Sequence, residues 1–405
     1  MRAALAGLIL LASVSPAAAE VGERLRVTPA DLPKPYATRS VSNAPRIVTR
    51  PLDAAPKAPP GFKVTLFRAG LDHPRHLIAA SNGDVLLAEP SEDQVTLLRD
   101  TDGDGRADLV QPFLENLDRP HGLAIHGGYL YIGDTERVWR VPYQPGDLKP
   151  RGPLEPVTAD GALGPGTGHW TRNVAVSPDG ARLFVSIGSA GNIGEEAAPR
   201  ATIQAFRLDG GAARAQATYA SGLRNAVGIA FLPGTSRLFA VVNERDGLGD
   251  DLVPDYLTEI RQGAFYGWPY AYIGRNPQPN YAERRPDLVE QAVVPDLLFK
   301  SHSAPIGLIF YQGRQFPAEY RGDAFVTLRG SWNSGRPVGY QLVRVKFRNG
   351  RPEGGYEVFL DGFRSGGTDR AEVWGRPAGV AEMPDGSLLV TDDTGKTIWR
   401  VSYGG

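Results

Sequence analysis

Short apolar segments separated by turn-forming residues make up most of the chain. Segments such as Val85–Ala88, Leu183–Ile187 and Leu388–Thr391 have the length and composition of strands, and Gly-containing turns lie between them. From residue 61 onwards no apolar period of 3.6 residues, the sign of an amphipathic helix, is evident. The pattern therefore predicts an all-β chain built from many short strands.

One type of segment recurs six times and opens an apolar strand each time. The six copies begin at Arg75, Arg119, Arg172, Arg224, Ala304 and Arg376. They lie roughly 45 to 80 residues apart, which suits one four-stranded propeller blade with or without a loop insertion. We therefore predict a six-bladed β-propeller with four-stranded antiparallel blades over residues 61–405. In such a fold the six segments meet at one mouth of the central channel.

The first sixty residues depart from this pattern. Met1–Ala19 combines the basic Arg2, a short apolar run and the small residues Ala17-Ala18-Ala19, which is typical of a secretory signal peptide. The apolar run is too short to span a bilayer. Residues 20–60 are rich in Pro and Ala and are expected to wrap the propeller or to stay partly mobile. The sequence thus predicts a periplasmic or secreted protein without a membrane span.

Charge and cysteine content narrow the function further. The chain has 405 residues with 44 Lys and Arg against 45 Asp and Glu, a formal net charge of −1, and no polybasic run. Nucleic acid and anionic membranes are therefore not expected as partners. The absence of cysteine excludes disulfides, thiolate metal sites and covalently attached c-type haem.

Arginines that open strands in different blades are expected to converge on the channel mouth. A single arginine of this kind is best explained by an ion pair, but several together repel one another unless an anion lies among them. Carboxylate and phosphate groups match the guanidinium geometry, so the pattern predicts an anionic ligand. His76, His121 and His169 occupy comparable places in the first three blades, and position alone does not choose the general base among them.

Two polar loops are candidate sites for Ca²⁺. The loop of residues 100–108 resembles the first part of an EF-hand loop, with carboxylates at alternate positions and Gly105 at the turn. Its candidate ligands are Asp100, Asp102, Asp104 and Asp108. The loop Asn243–Asp251 combines acidic side chains with glycines that expose carbonyl oxygens, although a solvated turn explains it equally well.

A set of longer motifs points to a known family. The motifs are Gly168-His169, Gly222-Leu223-Arg224-Asn225, Asn243-Glu244-Arg245-Asp246, Gly263–Pro269, Leu328-Arg329-Gly330 and Gly375-Arg376-Pro377. Together they resemble the glucose/sorbosone dehydrogenase family, exported six-bladed propellers that use pyrroloquinoline quinone (PQQ) with Ca²⁺. The resemblance covers residues 61–405 and is stronger to the sorbosone or pyranose dehydrogenase branch than to the soluble glucose dehydrogenases.

The resemblance implies a role for each matching residue. His169 matches the catalytic base, Arg224 and Asn225 the pair that contacts the quinone, Arg245 and Arg329 further cofactor contacts, Arg376 a carboxylate-binding arginine, and Asp246 and Gly247 the carbonyl ligands of Ca²⁺. A second family arginine is replaced by Ala378. The implied reaction is the oxidation of a sugar or sugar aldehyde by hydride transfer to the quinone. A separate electron acceptor, a cytochrome or a quinone, is implied as well.

Two other functions fit a propeller of this size. A Ca²⁺-dependent lactonase or esterase would need carboxylate and Asn ligands on the axis, where this chain has arginines. A non-catalytic propeller could bind carbohydrate or protein, since one fold hosts many functions.

Overall fold

The computed structural model describes residues 20–210 and 212–404, and the fold is all-β. The segment predicted to be a signal peptide, residues 1–19, lies outside the described residues. Within the described part, six antiparallel sheets of four or five strands follow one another along the chain. The prediction of an all-β chain with four-stranded antiparallel sheets is confirmed.

The six sheets are numbered I to VI in chain order. The first strand of a sheet is the one that follows a recurring segment, and the other strands are given in the order in which they pair, starting from it. Sheet I consists of Leu77–Ala79, Val85–Glu89, Gln94–Arg99 and Leu109–Leu114; sheet II of Gly122–His126, Tyr129–Gly133, Val138–Pro142 and Glu155–Pro156; sheet III of Arg172–Val176, Arg182–Ile187, Thr202–Asp209 and Ala212–Ser221. Sheet IV consists of Ala226–Phe231, Leu238–Val242, Pro254–Ile260 and Leu297–Ser301; sheet V of Pro305–Phe310, Ala324–Leu328, Gln341–Val345, Tyr356–Leu360 and Arg24–Leu25; sheet VI of Pro377–Glu382, Leu388–Asp392, Thr397–Tyr403 and Phe62–Ala69.

Each of the six recurring segments leads into the first strand of a sheet. Glycines in these segments allow neighbouring sheets to approach closely. A Cβ atom on Gly122 of sheet II would lie 2.5 Å from the carbonyl oxygen of Arg172 in sheet III. One on Gly379 of sheet VI would lie 2.3 Å from the carbonyl oxygen of Arg75, just before sheet I. Since real Cβ atoms do not come this close, any larger residue would push the strands apart.

The two ends of the repeat region meet in sheet VI. Phe62–Ala69 is the outermost strand of that sheet and pairs antiparallel with the C-terminal strand, with Phe62 opposite Tyr403. Apolar side chains of sheets V and VI form one buried cluster that includes Phe325, Phe359 and Trp399, and Phe62 packs against it. The strand that begins the repeats thus completes the last sheet.

Residues 20–60 lie along the sheets. Arg24–Leu25 is the fifth strand of sheet V, and Arg46–Ile47 pairs in parallel with Glu372–Val373. The backbone N–H of Asn43 donates to the carbonyl of Trp332 at 2.7 Å. These contacts bring the N-terminal segment to the loop that follows the second strand of sheet V.

The remaining regular elements of the described residues are short. They are the α-helix Pro286–Gln291, the 3-10 helices Pro29–Asp31, Ala282–Arg284 and Ala318–Tyr320, and the small strands Ala271–Tyr272, Asn276–Pro277, Phe347–Arg348, Arg351–Pro352, Arg364–Gly366 and Glu372–Val373. No helix in the described residues combines the length and the apolar character needed to cross a membrane.

Candidate functional site

A polar cavity of about 220 Å³ lies where the first strands of several sheets begin. Six of the residues predicted from the sequence line it: His169, Arg224, Asn225, Asp246, Arg329 and Arg376. They come from sheets III, IV, V and VI or from the loops next to them. The convergence expected of the strand-opening segments therefore brings half of the twelve predicted site residues into one space.

The ring of His169 is held by the neighbouring loop. Its Nδ1 atom lies 2.8 Å from the carbonyl oxygen of Ser189 and 3.0 Å from the Ser189 hydroxyl. Burial, followed by the positive charge of Arg224, lowers the pKa of His169 to about 4. The imidazole is therefore neutral near pH 7, the state that a general base requires.

The other two candidate bases occupy a different place. His76 and His121 stack on each other with ring centroids 5.8 Å apart, and neither lines the cavity. Burial lowers the pKa of His76 to about 4 and that of His121 well below its ordinary value. Of the three histidines, only His169 borders the cavity that also holds the arginines.

Arg224 forms hydrogen bonds with two loops, those that contain Asn192 and Asn243. Its Nε donates to the carbonyl oxygen of Asn192 at 3.1 Å and its Nη2 to the Asn192 side-chain oxygen at 3.0 Å. Its Nη1 donates to the carbonyls of Asn243, at 3.3 Å, and Glu244, at 2.7 Å. Since a guanidinium has five N–H donors, these bonds leave one N–H of Arg224, on Nη2, without a hydrogen bond among the described residues.

Asp246 lies beside this guanidinium in the loop after the second strand of sheet IV. Its carboxylate is 3.6 Å from Nη2 of Arg224 and 3.4 Å from Nδ1 of His302, and it accepts from the Asn333 amide. Burial would raise the pKa of Asp246, but the His302 hydrogen bond and the Arg224 charge lower it. The Asp246 carbonyl, a predicted Ca²⁺ ligand, accepts from Nδ2 of Asn192 at 2.9 Å.

Arg329 and Arg376 form one wall of the cavity together with Arg75. Nε of Arg329 and Nη1 of Arg75 each lie 2.6 Å from the same carboxylate oxygen of Asp393. Arg376 instead donates to the carbonyls of Arg329, at 3.0 Å, and Gly330, at 2.6 Å. Burial, followed by repulsion from Arg329, lowers the pKa of Arg376 to about 10. This wall carries more positive than negative charge.

Two predicted site residues have other surroundings. Arg245 is fully buried and does not line the cavity; its guanidinium pairs with Glu244 and donates to the carbonyl of Ala271 at 2.8 Å. Gly247 follows Asp246 but is not among the residues that line the cavity. Arg245 therefore bonds to the surrounding chain instead of bordering the cavity.

Asn225 provides a polar atom that lacks a partner. Its side-chain oxygen is buried, and within the described residues it makes no hydrogen bond. A Cβ atom on Gly188 would lie 2.5 Å from this oxygen and 2.5 Å from Cβ of His169, so glycine at 188 lets the two side chains meet. An unsatisfied buried oxygen at a cavity wall is expected where a ligand completes the hydrogen bonding.

The second predicted metal loop lies apart from the cavity. Ligand atoms of Asp100, Asp102 and Asp104 come within 4.8 Å of one another. The carboxylate of Asp108 accepts instead from the backbone and hydroxyl of Thr101. Three of the four predicted ligands are therefore together, and metal binding by this loop stays a prediction.

Sequence reasoning missed several residues that build the cavity. Asn192, His302 and Asp393 connect its walls, although no motif marked them. His302 comes two residues before Ala304, much as His169 comes three before Arg172, so the repeat could have indicated it. Asn192 and Asp393 carry no such signal, because their contacts reach residues far away in the sequence.

One family model matches most of the chain. The model of the TrAA12-like family matches residues 56–272 and 277–404. An uncharacterized protein of Borreliella burgdorferi is 29% identical over 361 residues, covering 86% of this chain and 90% of that protein. The pyrroloquinoline quinone-dependent pyranose dehydrogenase of Coprinopsis cinerea is 25% identical over 337 residues, covering 70% of this chain. The match spans only 44% of the length of that dehydrogenase.

Solved structures share the fold. The holo form of the pyranose dehydrogenase PQQ domain from Coprinopsis cinerea superimposes with a TM-score of 0.73 at 19% identity, covering 89% of this chain and 99% of that domain. The calcium structure of the Trichoderma reesei family AA12 protein gives 0.70 at 22% identity, covering 86% and 97%. At these identities the likeness is one of architecture.

Proposed function

The chain belongs to the TrAA12-like family, and from that membership we propose that it oxidises a sugar or a sugar aldehyde with PQQ and Ca²⁺. One observation carries the proposal. A neutral histidine, His169, shares a cavity with a wall of arginines, of which Arg376 bonds backbone carbonyls rather than a carboxylate. This combination suits an enzyme that takes a proton from a hydroxyl beside a bound polyanion.

The proposed architecture is a six-bladed propeller with sheets I to VI as its blades. Support comes from the contacts between first strands, which link each sheet to the next and sheet VI to sheet I. The close approach of Gly379 to Arg75 lies at that last junction. Completion of sheet VI by Phe62–Ala69 joins the two ends of the repeat region, a way to remove exposed sheet edges.

The cavity residues fit a cofactor that bears several carboxylates. The wall of Arg329 and Arg376 has an excess of buried positive charge, which is costly unless an anion offsets it. Asn225, with its unpartnered oxygen, and Arg224 line the same cavity. We assign Arg329 and Arg376 to the carboxylates of PQQ, and Asn225 and Arg224 to its polar ring atoms.

His169 supplies the base. Because the Ser189 carbonyl can only accept, Nδ1 carries the proton and Nε2 keeps a free lone pair. The Nε2 atom takes the proton of the sugar hydroxyl, and the imidazolium so formed lies near the Asp246 carboxylate, whose charge favours it. When bound, the quinone with its Ca²⁺ supplies a two-electron acceptor for the hydride that leaves the sugar carbon.

Carbonyls of Asp246 and Gly247 are proposed to hold the Ca²⁺ of this site. Oxygen ligands suit this ion, and the Asp246 carboxylate nearby would favour a cation. The electrons are proposed to leave to a separate acceptor, and residues 1–19 are proposed to direct export. These two points rest on the sequence alone.

Reconstitution tests the proposal. Purified protein is titrated with PQQ in the presence and absence of CaCl₂, and binding is followed by tryptophan fluorescence. Dye reduction is then measured over a panel of aldoses and ketoaldoses. Saturable Ca²⁺-dependent binding with sugar-dependent reduction is expected. Failure to bind PQQ would reject this cofactor. It would favour a Ca²⁺-dependent lactonase or esterase, or a non-catalytic protein that binds carbohydrate or protein.

A further inference from the structure

A single carboxylate after sheet VI draws together basic side chains next to sheets I and V. Asp393 follows the second strand of sheet VI, and its side chain is fully buried. One of its oxygens lies 2.6 Å from Nη1 of Arg75, 2.6 Å from Nε of Arg329 and 3.5 Å from Nε2 of His73. Burial alone would raise the pKa of Asp393, but the charges of Arg329 and Arg75 and the His73 hydrogen bond hold it well below its usual range.

One negative charge does not balance this group. Arg75, Arg329 and Arg376 all line the cavity, and Asp393 pairs with the first two. In the described part of the chain, Arg376 makes no ion pair and donates to the carbonyls of Arg329 and Gly330. Three guanidinium groups thus share one carboxylate, which leaves positive charge in a partly desolvated space.

Arg75 also has an unused donor. Its side chain is 9% exposed, and its Nε atom is buried without a hydrogen-bond partner among the described residues. Burial lowers the pKa of Arg75, and the Asp393 charge opposes this effect. A buried N–H without a partner, in a residue that lines the cavity, is expected where an acceptor completes the hydrogen bonding.

We propose that Arg75 joins Arg329 and Arg376 in a three-arginine subsite for carboxylate groups, and that Asp393 is the positioning residue that fixes their spacing. This inference rests on the proposed function, because it assigns the subsite to the carboxylates of PQQ. It adds to that function a residue of sheet I. Asp393 holds two of the guanidinium groups from behind, and the ligand completes the charge balance from the cavity side.

A purely structural role of the Arg75–Asp393 pair would have different consequences. If this ion pair only stabilises the contact between sheets I and VI, its loss lowers the free energy of unfolding without changing the affinity for anions. Arg344 provides the matched control, because its side chain is 3% exposed and its Nε lies 2.6 Å from the Asp323 carboxylate, away from the cavity. The two arginines therefore have similar burial and similar ion pairs, but only Arg75 borders the cavity.

The test compares Arg75→Gln and Arg344→Gln with the unmodified protein. Equilibrium affinity is measured for PQQ with CaCl₂ and for benzene-1,3,5-tricarboxylate, a redox-inert tricarboxylate. We expect Arg75→Gln to weaken both affinities by about tenfold or more, since a charge-assisted bond is lost. Arg344→Gln should lower thermal stability and keep both affinities. If Arg75→Gln does not fold, Arg75→Lys, which retains the charge but loses the Nε–H donor, should still bind both anions more weakly.

The outcomes separate this inference from the proposed function. Unchanged PQQ affinity in a folded Arg75 variant overturns the subsite and leaves the PQQ proposal standing. Tricarboxylate binding that depends on Arg75, without PQQ binding, supports the subsite and overturns the cofactor. Binding of neither anion by the unmodified protein overturns both.

Discussion

Nδ1 of His169 lies 2.8 Å from the carbonyl oxygen of Ser189, and the backbone N–H of His169 donates to the same carbonyl at 3.1 Å. Because a carbonyl oxygen only accepts, this pair fixes the tautomer with the proton on Nδ1. The ring is anchored from its backbone and its side chain at once. Nε2 is consequently the atom that is able to take up a proton.

The pKa of His169 is the first quantity to measure. Burial and the Arg224 charge depress it to about 4, whereas an unfolded chain has a value near 6.5. The unfolded state therefore binds this proton more tightly, so His169 lowers stability as the pH falls from about 6.5 to about 4. NMR titration of histidine-labelled protein without cofactor should give a His169 midpoint near 4. The His169→Gln variant identifies the resonance, and a midpoint near 6.5 would contradict the described environment.

Replacement of the same residue separates binding from chemistry. We expect His169→Gln to bind PQQ as the unmodified protein does and to lose turnover by on the order of 10²- to 10⁴-fold, the usual worth of a general base. Dye reduction by the reconstituted variant measures the loss. His126→Gln is the control, because His126 lies at the end of a strand in sheet II and does not line the cavity. Full turnover in His169→Gln would remove His169 from the mechanism.

Asn192 links the two loops that border the cavity. Its side chain accepts from Arg224 at 3.0 Å and from the backbone of Asp246 at 2.8 Å, and donates to the Asp246 carbonyl at 2.9 Å. Asn192→Ala should lower the free energy of unfolding by about 1–2 kcal/mol, since Asn192 is exposed and water replaces part of what is lost. It should also speed amide hydrogen exchange in residues 243–247.

The control for that change is Asn82→Ala. Asn82 lies in a turn of sheet I, and among the described residues its side chain bonds to Asp84 alone, at 2.8 Å for the side-chain pair. Exchange of residues 243–247 should be unchanged there. Equal exchange in Asn192→Ala and the unmodified protein would mean that the contacts of Arg224 and Asn333 with this loop are sufficient to hold it.

The sequence predicted the strands and the convergence of the site better than its individual contacts. Alternating apolar runs and Gly turns are local signals, so strands such as Leu238–Val242 could be predicted with correct bounds. The recurring segments indicated which residues face the mouth, and six of the predicted site residues do line one cavity. The position of Arg245 outside the cavity could not be predicted from the recurring segments, because its pairing with Glu244 and its burial depend on how the surrounding loops fold.

Calcium binding by the loop of residues 100–108 can be separated from binding at the cavity. The ligand atoms of Asp100, Asp102 and Asp104 are close enough to share one ion. We expect Asp102→Asn combined with Asp104→Asn to reduce by one the number of Ca²⁺ ions bound in the absence of PQQ, because neutral amides are weaker ligands for a hard cation. Competition with a chelating dye measures the stoichiometry.

Asp160→Asn controls for the loss of surface charge. Asp160 has an 83% exposed side chain and lies in an ion pair with Arg137 at 2.5 Å. It should keep the full number of Ca²⁺ ions. An unaltered stoichiometry in the double variant would leave this loop as an acidic turn held by its own backbone hydrogen bonds.

The junction between the two ends of the repeat region depends on Phe62. Its ring contacts those of Phe316, Phe359 and Tyr403 edge-on, with centroids 4.8, 4.9 and 4.9 Å away. Phe62→Ala removes these contacts and leaves a gap beneath the outermost strand of sheet VI, so we expect a loss of about 3 kcal/mol in the free energy of unfolding. Leu52→Ala, at a side chain 96% exposed, should change it by less than about 0.5 kcal/mol. Urea unfolding of the two variants makes the comparison, and equal midpoints would mean that the backbone pairing of Phe62–Ala69 holds the ends together without this aromatic cluster.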